Sequence, residues 1–149
     1  MVSSTTFIKD ILNFIKSDIS SNITDPIAGK RKTGGSFVMT SYPQRIVEYP
    51  IITLKLVNQK ANRAGMQTTA MDVTITLEVR VWARNQKEKD EISNEIYKRL
   101  RDIQFTASTG SIANDLHHYK LNSDVEVDED GEGTPKSRIL QVEYKFYSI

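Results

Sequence analysis

The residues that could do chemistry in this chain form few useful groupings. The two histidines, His117 and His118, are adjacent, and neighbouring side chains of a strand point to opposite faces, so they cannot grip one metal ion together. We expect one histidine side chain to point into the protein and the other to point outward; a metal-binding or acid–base role is the alternative. Cysteine is absent, which excludes thiol chemistry, disulfides and cysteine-based metal sites. We therefore predict no catalytic residue, no metal site, no cofactor and no enzymatic activity.

An acidic run at Glu126–Gly131 resembles the start of a calcium-binding loop. Counted from Glu126, the twelfth position is Ser137, whereas such a loop needs a bidentate Glu there and a helix on each side. We predict a solvent-exposed acidic turn instead.

A glycine-rich basic loop carries three consecutive cations, Lys30, Arg31 and Lys32. It lacks the G-x-x-x-x-G-K-[ST] order of a phosphate-binding loop. The cations are either simply solvated or contact an acidic partner or DNA phosphates, and we name all three as interface candidates.

Composition indicates one domain spanning residues 1–149. Apolar residues make up 38% of the chain, enough for a real core, and 20 basic against 19 acidic residues leave a net charge of +1. This balance argues against a general nucleic-acid or membrane binder. No apolar run approaches the ~20 residues of a membrane span, and residues 7–19 lack a secretory pattern. We expect a protein of the reducing cytoplasm.

Residues 71–83 predict an unusually long strand. Odd positions from Met71 to Ala83 are apolar and the even ones are polar, except Trp82. Such alternation puts one sheet face on a core and leaves the other for water or a partner. Because a typical strand has about five or six residues, this one suggests assembly into something larger than one subunit. Trp82 is either an interface hot spot or part of a second small core under a loop.

Apolar spacing predicts the elements that position these residues. We expect helices over residues 6–19 and from an Asn85 cap to Ile103, and strands at 37–40, 51–57, 71–83, 121–128 and 139–149. The order α-β-β-β-α-β-β predicts an α+β domain, an antiparallel or mixed sheet with both helices on one face.

The predicted connection 58–70 is much longer than an ordinary hairpin loop of about two to five residues. If the flanking strands extend into it, the hairpin becomes a projecting arm. Long ordered loops tend to be functional, so we predict that Lys60, Asn62 and Arg63 at its tip contact a partner or DNA.

This arrangement resembles the tail terminator, or tail-completion, proteins of long-tailed bacteriophages, as in lambda-type phages. The resemblance rests on the N-terminal helix, the Tyr42-Pro43 and Tyr49-Pro50 pairs, the strand from Ile51, the long hairpin to Ala83 and the helix Lys87–Ile103. It implies a structural virion protein that forms a homo-oligomeric, hexameric ring at the head-proximal end of the tail tube. Such a ring ends tube polymerisation and joins the tail to the head connector.

The resemblance also implies partners and a location. The partners are the tail tube protein, a head-completion or connector protein, and DNA passing through the lumen; the protein would act in the virion neck after assembly in the host cytoplasm. The basic loop 30–32 and the acidic loop 128–133 have no counterpart in the resemblance, so their roles stay open. The alternatives are a head-completion or connector-stopper neck protein, and an unrelated monomeric binding module or small enzyme.

Overall fold

The computed structural model describes residues 6–31, 36–41, 48–103, 116–127 and 136–148, without the side chains of residues 117–119. The two helices are α1 (Phe7–Asn22) and α2 (Gln86–Arg101). The five strands are β1 (Val38–Met39), β2 (Ile51–Arg63), β3 (Met71–Ala83), β4 (His117–Val127) and β5 (Lys136–Ser148). The predicted α+β class and element order are confirmed.

The strands form one mixed sheet in the order β1-β2-β3-β5-β4. Only β1 and β2 run parallel; the other neighbouring pairs are antiparallel. The central strand β3 pairs with β5 along its whole length, from Met71 opposite Ser148 to Ala83 opposite Lys136. The long strand predicted over residues 71–83 is therefore the middle of the sheet.

The core lies between the helices and one face of the sheet. The odd positions of β3 from Val73 to Ala83 are buried, as their alternation predicts. They pack against apolar stripes of both helices, formed by Ile11, Ile15, Ile19, Ile92, Ile96 and Leu100. The Tyr144 hydroxyl on β5 donates to the Leu100 carbonyl at 2.7 Å, which ties α2 to the sheet.

Polar contacts fix the helices at their ends and to each other. The Asn85 side chain accepts the Glu88 N–H at 2.9 Å, so the predicted cap of α2 is confirmed. Arg99 of α2 holds the Asp18 carboxylate of α1 with two bonds of 2.7 and 2.6 Å. This paired geometry is the strong form of a charge-assisted contact, and it raises the pKa of Arg99, chiefly through the hydrogen bond to Asp18.

Several predicted boundaries were wrong. β2 continues to Arg63, so the connection is residues 64–70 and not 58–70. The end of β2 was missed because residues 57–63 are exposed on both faces and therefore show no apolar alternation. β4 begins four positions before the predicted residue 121, and β5 begins at Lys136 and not at 139.

Candidate interface surfaces

One face of the sheet carries no helix in the described parts of the chain; we call it the open face. In β3 it consists of half-exposed polar residues, among them Thr74, Thr76, Glu78 and Arg80. The helices pack instead on the opposite, apolar face. The polar positions of β3 are thus available to water or to a second protein, as the alternation predicts.

Trp82 lies on this open face in a compact arrangement with Arg80. The Arg80 guanidinium carbon is 3.8 Å from the centre of the Trp82 ring, within the range of a cation–π contact. The indole N–H donates to the Thr53 hydroxyl at 3.3 Å, and Arg80 donates to the Ser137 hydroxyl at 3.1 Å. These contacts hold the indole in a fixed orientation on a surface where a partner could meet it; its interface role remains a prediction.

The sheet has two edges with long unpaired stretches in the described part of the chain. β1 covers β2 only at Ile52 and Thr53, so the outer edge of β2 from residue 54 to 63 meets no other described strand. β4 is the last strand on the other side. Exposed edges of this length are templates for pairing with another chain.

The predicted tip residues lie together at the far end of β2. Lys60, Asn62 and Arg63 are all exposed, and the turn beyond them is closed by a bond of 2.9 Å from the Ala64 N–H to the Ala70 carbonyl. Met66 at the turn has an exposed fraction of 97%. Lys60 and Arg63 place two cations at this end of β2, and Asp72 of β3 lies opposite Asn62 as one carboxylate, so a small positive excess remains.

The basic loop divides into residues with different surroundings. Lys30 is exposed, whereas the side chain of Arg31 is only 9% exposed and binds both oxygens of Asp25, at 2.7 and 3.0 Å. Arg31 also donates to the carbonyls of Glu48 and Pro50, which joins the loop to the start of β2. Lys32 lies outside the described residues. Of the two described cations of this loop, Lys30 is exposed and can face a partner, while Arg31 holds the loop together.

The carboxylates of Asp25 and Glu88, which are both partly buried, have lowered pKa values because of arginine partners. Burial raises the pKa of Asp25, but the hydrogen bonds from Arg31 and from the Ile27 N–H outweigh it, so the net shift is downward. The hydrogen bond from Arg84 lowers the pKa of Glu88, against the opposing effect of burial. Both groups therefore prefer the ionised form in the folded protein.

We expect these two carboxylates to steepen the loss of stability in acid. Because their folded pKa values lie below the ordinary values of 3.8 and 4.5, their contribution is present above those values and is lost as the pH falls through the folded ones. Urea unfolding from pH 6 to 3 should show a shallower acid decline in the Asp25→Asn, Glu88→Gln double variant. Glu91→Gln, an exposed carboxylate on α2, is the control; equal slopes in the double variant and the unaltered protein would contradict the assignment.

A buried lysine joins α2 to the β4–β5 hairpin. Lys89 has an exposed fraction of 0%, and its ammonium pairs with the Glu126 carboxylate of β4 and lies 3.9 Å from Asp90. Arg138 of β5 contacts Asp124 and, at 3.4 Å, Asp90. Glu126, which begins the calcium-like run, thus serves an ion pair.

Sequence reasoning missed Lys89, although a signal was present. It lies three residues before Ile92 and seven before Ile96, on the stripe that forms the buried side of α2. A lysine on that stripe needs a counter-charge, and Glu126 of β4 supplies one.

The described ranges, with their gaps, contain no group of three His, Asp or Glu side chains placed to hold a metal ion. Nor does either described helix have the length and apolar character to cross a membrane.

Comparison with known proteins gives a likeness in three-dimensional structure. The sequence matches no protein-family model and no curated protein. Among solved structures, it is similar to a chain in the structure described as "Virion of native gene transfer agent (GTA) particle", with a TM-score of 0.64 and 10% sequence identity. The likeness covers 97% of this chain and 99% of that one. At this identity, the likeness shows a shared fold over nearly the full length of both chains.

Proposed function

We propose that this protein is a structural component of a phage-like virion and forms a hexameric ring at the head-proximal end of a tail tube. There it ends tube polymerisation and joins the tail to the head connector. The observation that carries this proposal is the full-length likeness to a chain of a gene transfer agent virion, with 97% and 99% of the two chains covered. A fold shared from end to end supports a shared kind of assembly role.

The surfaces described above support assembly as the function. A ring of copies offers a partner for the open face and for the unpaired edges of β2 and β4, which are liabilities in an isolated subunit. Such a role requires no bond chemistry. The protein is accordingly proposed to act as a non-enzymatic virion component without a cofactor.

The exposed polar residues at the far end of β2 and in the basic loop fit this proposal. The tail tube protein, the connector protein or DNA in the lumen would contact Lys60, Asn62 and Arg63 of β2. Lys30 and Lys32 would serve the same kind of anionic contact from the basic loop, with Arg31 holding that loop in place.

The proposal is tested by the mass and binding of the purified protein. Mass photometry should show a hexamer, alone or after addition of tail tubes, and electron microscopy should show rings at tube ends. A strictly monomeric protein that also fails to bind tube ends would overturn the ring.

A neck protein of the head-completion or connector-stopper type is the second candidate. It is favoured by the same likeness, because the matched chain is described only as part of a virion and its fold alone does not assign a position. Pull-downs against a tube protein and a portal-side connector separate the two: retention only by the connector would support the second candidate.

Charge reversal in the basic loop should weaken assembly. We expect Lys30→Glu combined with Lys32→Glu to lower the affinity for the anionic partner severalfold at 50 mM salt and much less at 500 mM, since salt screens exposed charges. Affinity is measured by titrating tube ends or DNA at both salt concentrations. Lys9→Glu, an exposed cation on α1, is the control; equal binding by the loop variant at both salt concentrations would refute the role.

A further inference from the structure

We infer that neighbouring copies join edge to edge: the outer edge of β2 in one copy pairs antiparallel with the outer edge of β4 in the next, which makes one continuous sheet across the subunits. This inference rests on the proposed ring and specifies how the ring closes. The occupant of each edge is a second copy of this chain.

The position of the two edges supports head-to-tail association. β2 meets no other described strand on its outer side from residue 54 to 63, and β4 is the last described strand on the opposite side of the sheet. The two strands have comparable lengths, 13 and 11 residues. Contacts between two different surfaces of each copy generate rings when the rotation closes, so an edge on each side is the arrangement that a ring needs.

Strand direction favours the same pairing. β2, β3, β5 and β4 follow one another in the sheet and alternate in direction, because each neighbouring pair is antiparallel. When a second copy is placed beside the first in the same orientation, its β2 runs opposite to β4. The alternation therefore continues across the subunit boundary as a regular antiparallel ladder.

The backbone groups on both edges point outward. Ile52 directs its N–H away from β3, to the Phe37 carbonyl at 2.8 Å. Because the direction alternates in antiparallel strands, Leu54 and Leu56 also point their backbone groups to the free side. Carrying the registers through β3 and β5 to β4 gives Asp124 and Glu126 the same outward direction. Each edge thus offers donors and acceptors to the next copy.

Charge selects β4 over a second β2 as the partner. β2 contains Lys55, Lys60 and Arg63 and no carboxylate, so pairing two β2 edges would bring six cations together. In β4, Asp124 and Glu126 are already paired within the subunit, with Arg138 and Lys89, and the strand adds one lysine, Lys120, to the edge. The repulsion between two β2 edges therefore favours the opposite edge of another copy as the partner.

The same edge has features that protect a monomer. The register of β2 shifts between Leu56 and Asn58, and edge lysines and bulges both discourage unwanted pairing. If they serve only for protection, both edges stay unpaired in the assembled ring. Cross-linking and hydrogen exchange distinguish such unpaired edges from paired ones.

Engineered cysteines test the contact directly, because the chain contains none of its own. Val125→Cys is combined in turn with Lys55→Cys, Asn58→Cys and Lys60→Cys, positions whose registers place them on the open face. A disulfide needs Cβ atoms about 3.5–4.5 Å apart, so the combination that matches the intersubunit register should oxidise to a ladder of bands up to the ring. The single-cysteine variants should give no ladder.

Hydrogen exchange of the unaltered protein gives the second measurement. On assembly, the outward-pointing amides of the two edges, such as those of Leu54, Leu56, Asp124 and Glu126, should exchange at least about tenfold more slowly than in the dissociated protein. A ring in mass photometry with no cross-linked ladder and unprotected edges would overturn edge pairing and leave the proposed function standing. A protein that stays monomeric, even with tube ends, would overturn both.

Discussion

Trp82→Ala should weaken self-association by about 30-fold or more, because a buried tryptophan at an interface typically contributes about 2 kcal/mol or more. The indole is held ready by its stack with Arg80 and its bond to Thr53, so little ordering cost is added on association. Within one subunit it is half-exposed, and the unfolding free energy of the monomer should fall by only about 1 kcal/mol, the scale of an exposed cation–π contact. Mass photometry over a dilution series and urea unfolding measure the two effects separately.

Trp82→Phe is the matched control for this prediction. It keeps an aromatic ring for Arg80 and removes the indole N–H that donates to Thr53, so most of the association should remain. If Trp82→Ala instead abolishes the cooperative unfolding transition, the tryptophan serves folding within one subunit and not the interface.

The sequence predicted the elements in which one side is buried. The alternation in residues 71–83 and the stripe Ile92–Ile96–Leu100 gave β3 and α2 correctly, because burial of one side leaves a periodic record of side-chain type. Asn85 marked the start of α2 because its cap is a local contact, a bond to the Glu88 N–H three residues away.

The end of β2 shows no such periodic pattern of apolar side chains. Residues 57–63 are held by backbone pairing to β3, from Asn58 opposite Thr76 to Arg63 opposite Met71, while their side chains stay exposed. A strand stabilised in this way has no preference for apolar residues on either face. The length of β2 is set by its pairing with β3, and this tertiary contact produces no periodic pattern in the sequence.

The basic loop shows the same limit for the candidate site. Lys30 and Arg31 are neighbours of one charge type, yet the first is exposed and the second binds Asp25 and two carbonyls that lie beyond the loop. The carbonyl partners are 17 and 19 residues away along the chain. Only the tertiary structure separates a cation that faces solvent from one that holds the fold.

Glu126→Ala should lower the free energy of unfolding by about 3 kcal/mol, the low end for breaking a buried ion pair. It leaves the ammonium of Lys89, with an exposed fraction of 0%, inside the protein, where Asp90 at 3.9 Å is its remaining ion-pair partner among the described residues. Removing the lysine, as in Lys89→Met, should lower the free energy of unfolding far less. Lys89→Met fills a similar volume, and the Glu126 side chain it leaves behind is 36% exposed, so water solvates the carboxylate and stability should change by about 1 kcal/mol or less.

Urea unfolding of the two variants, with Lys87→Met as the control, measures this asymmetry. Lys87 lies on the same helix but is 85% exposed in its pair with Glu91, and such surface pairs contribute about 0–1 kcal/mol. If Lys89→Met were as destabilising as Glu126→Ala, the ion pair itself would be a net source of stability. The expected difference instead means that the cost lies in an unpaired buried charge, and that Glu126 is needed on β4 chiefly because Lys89 is buried on α2.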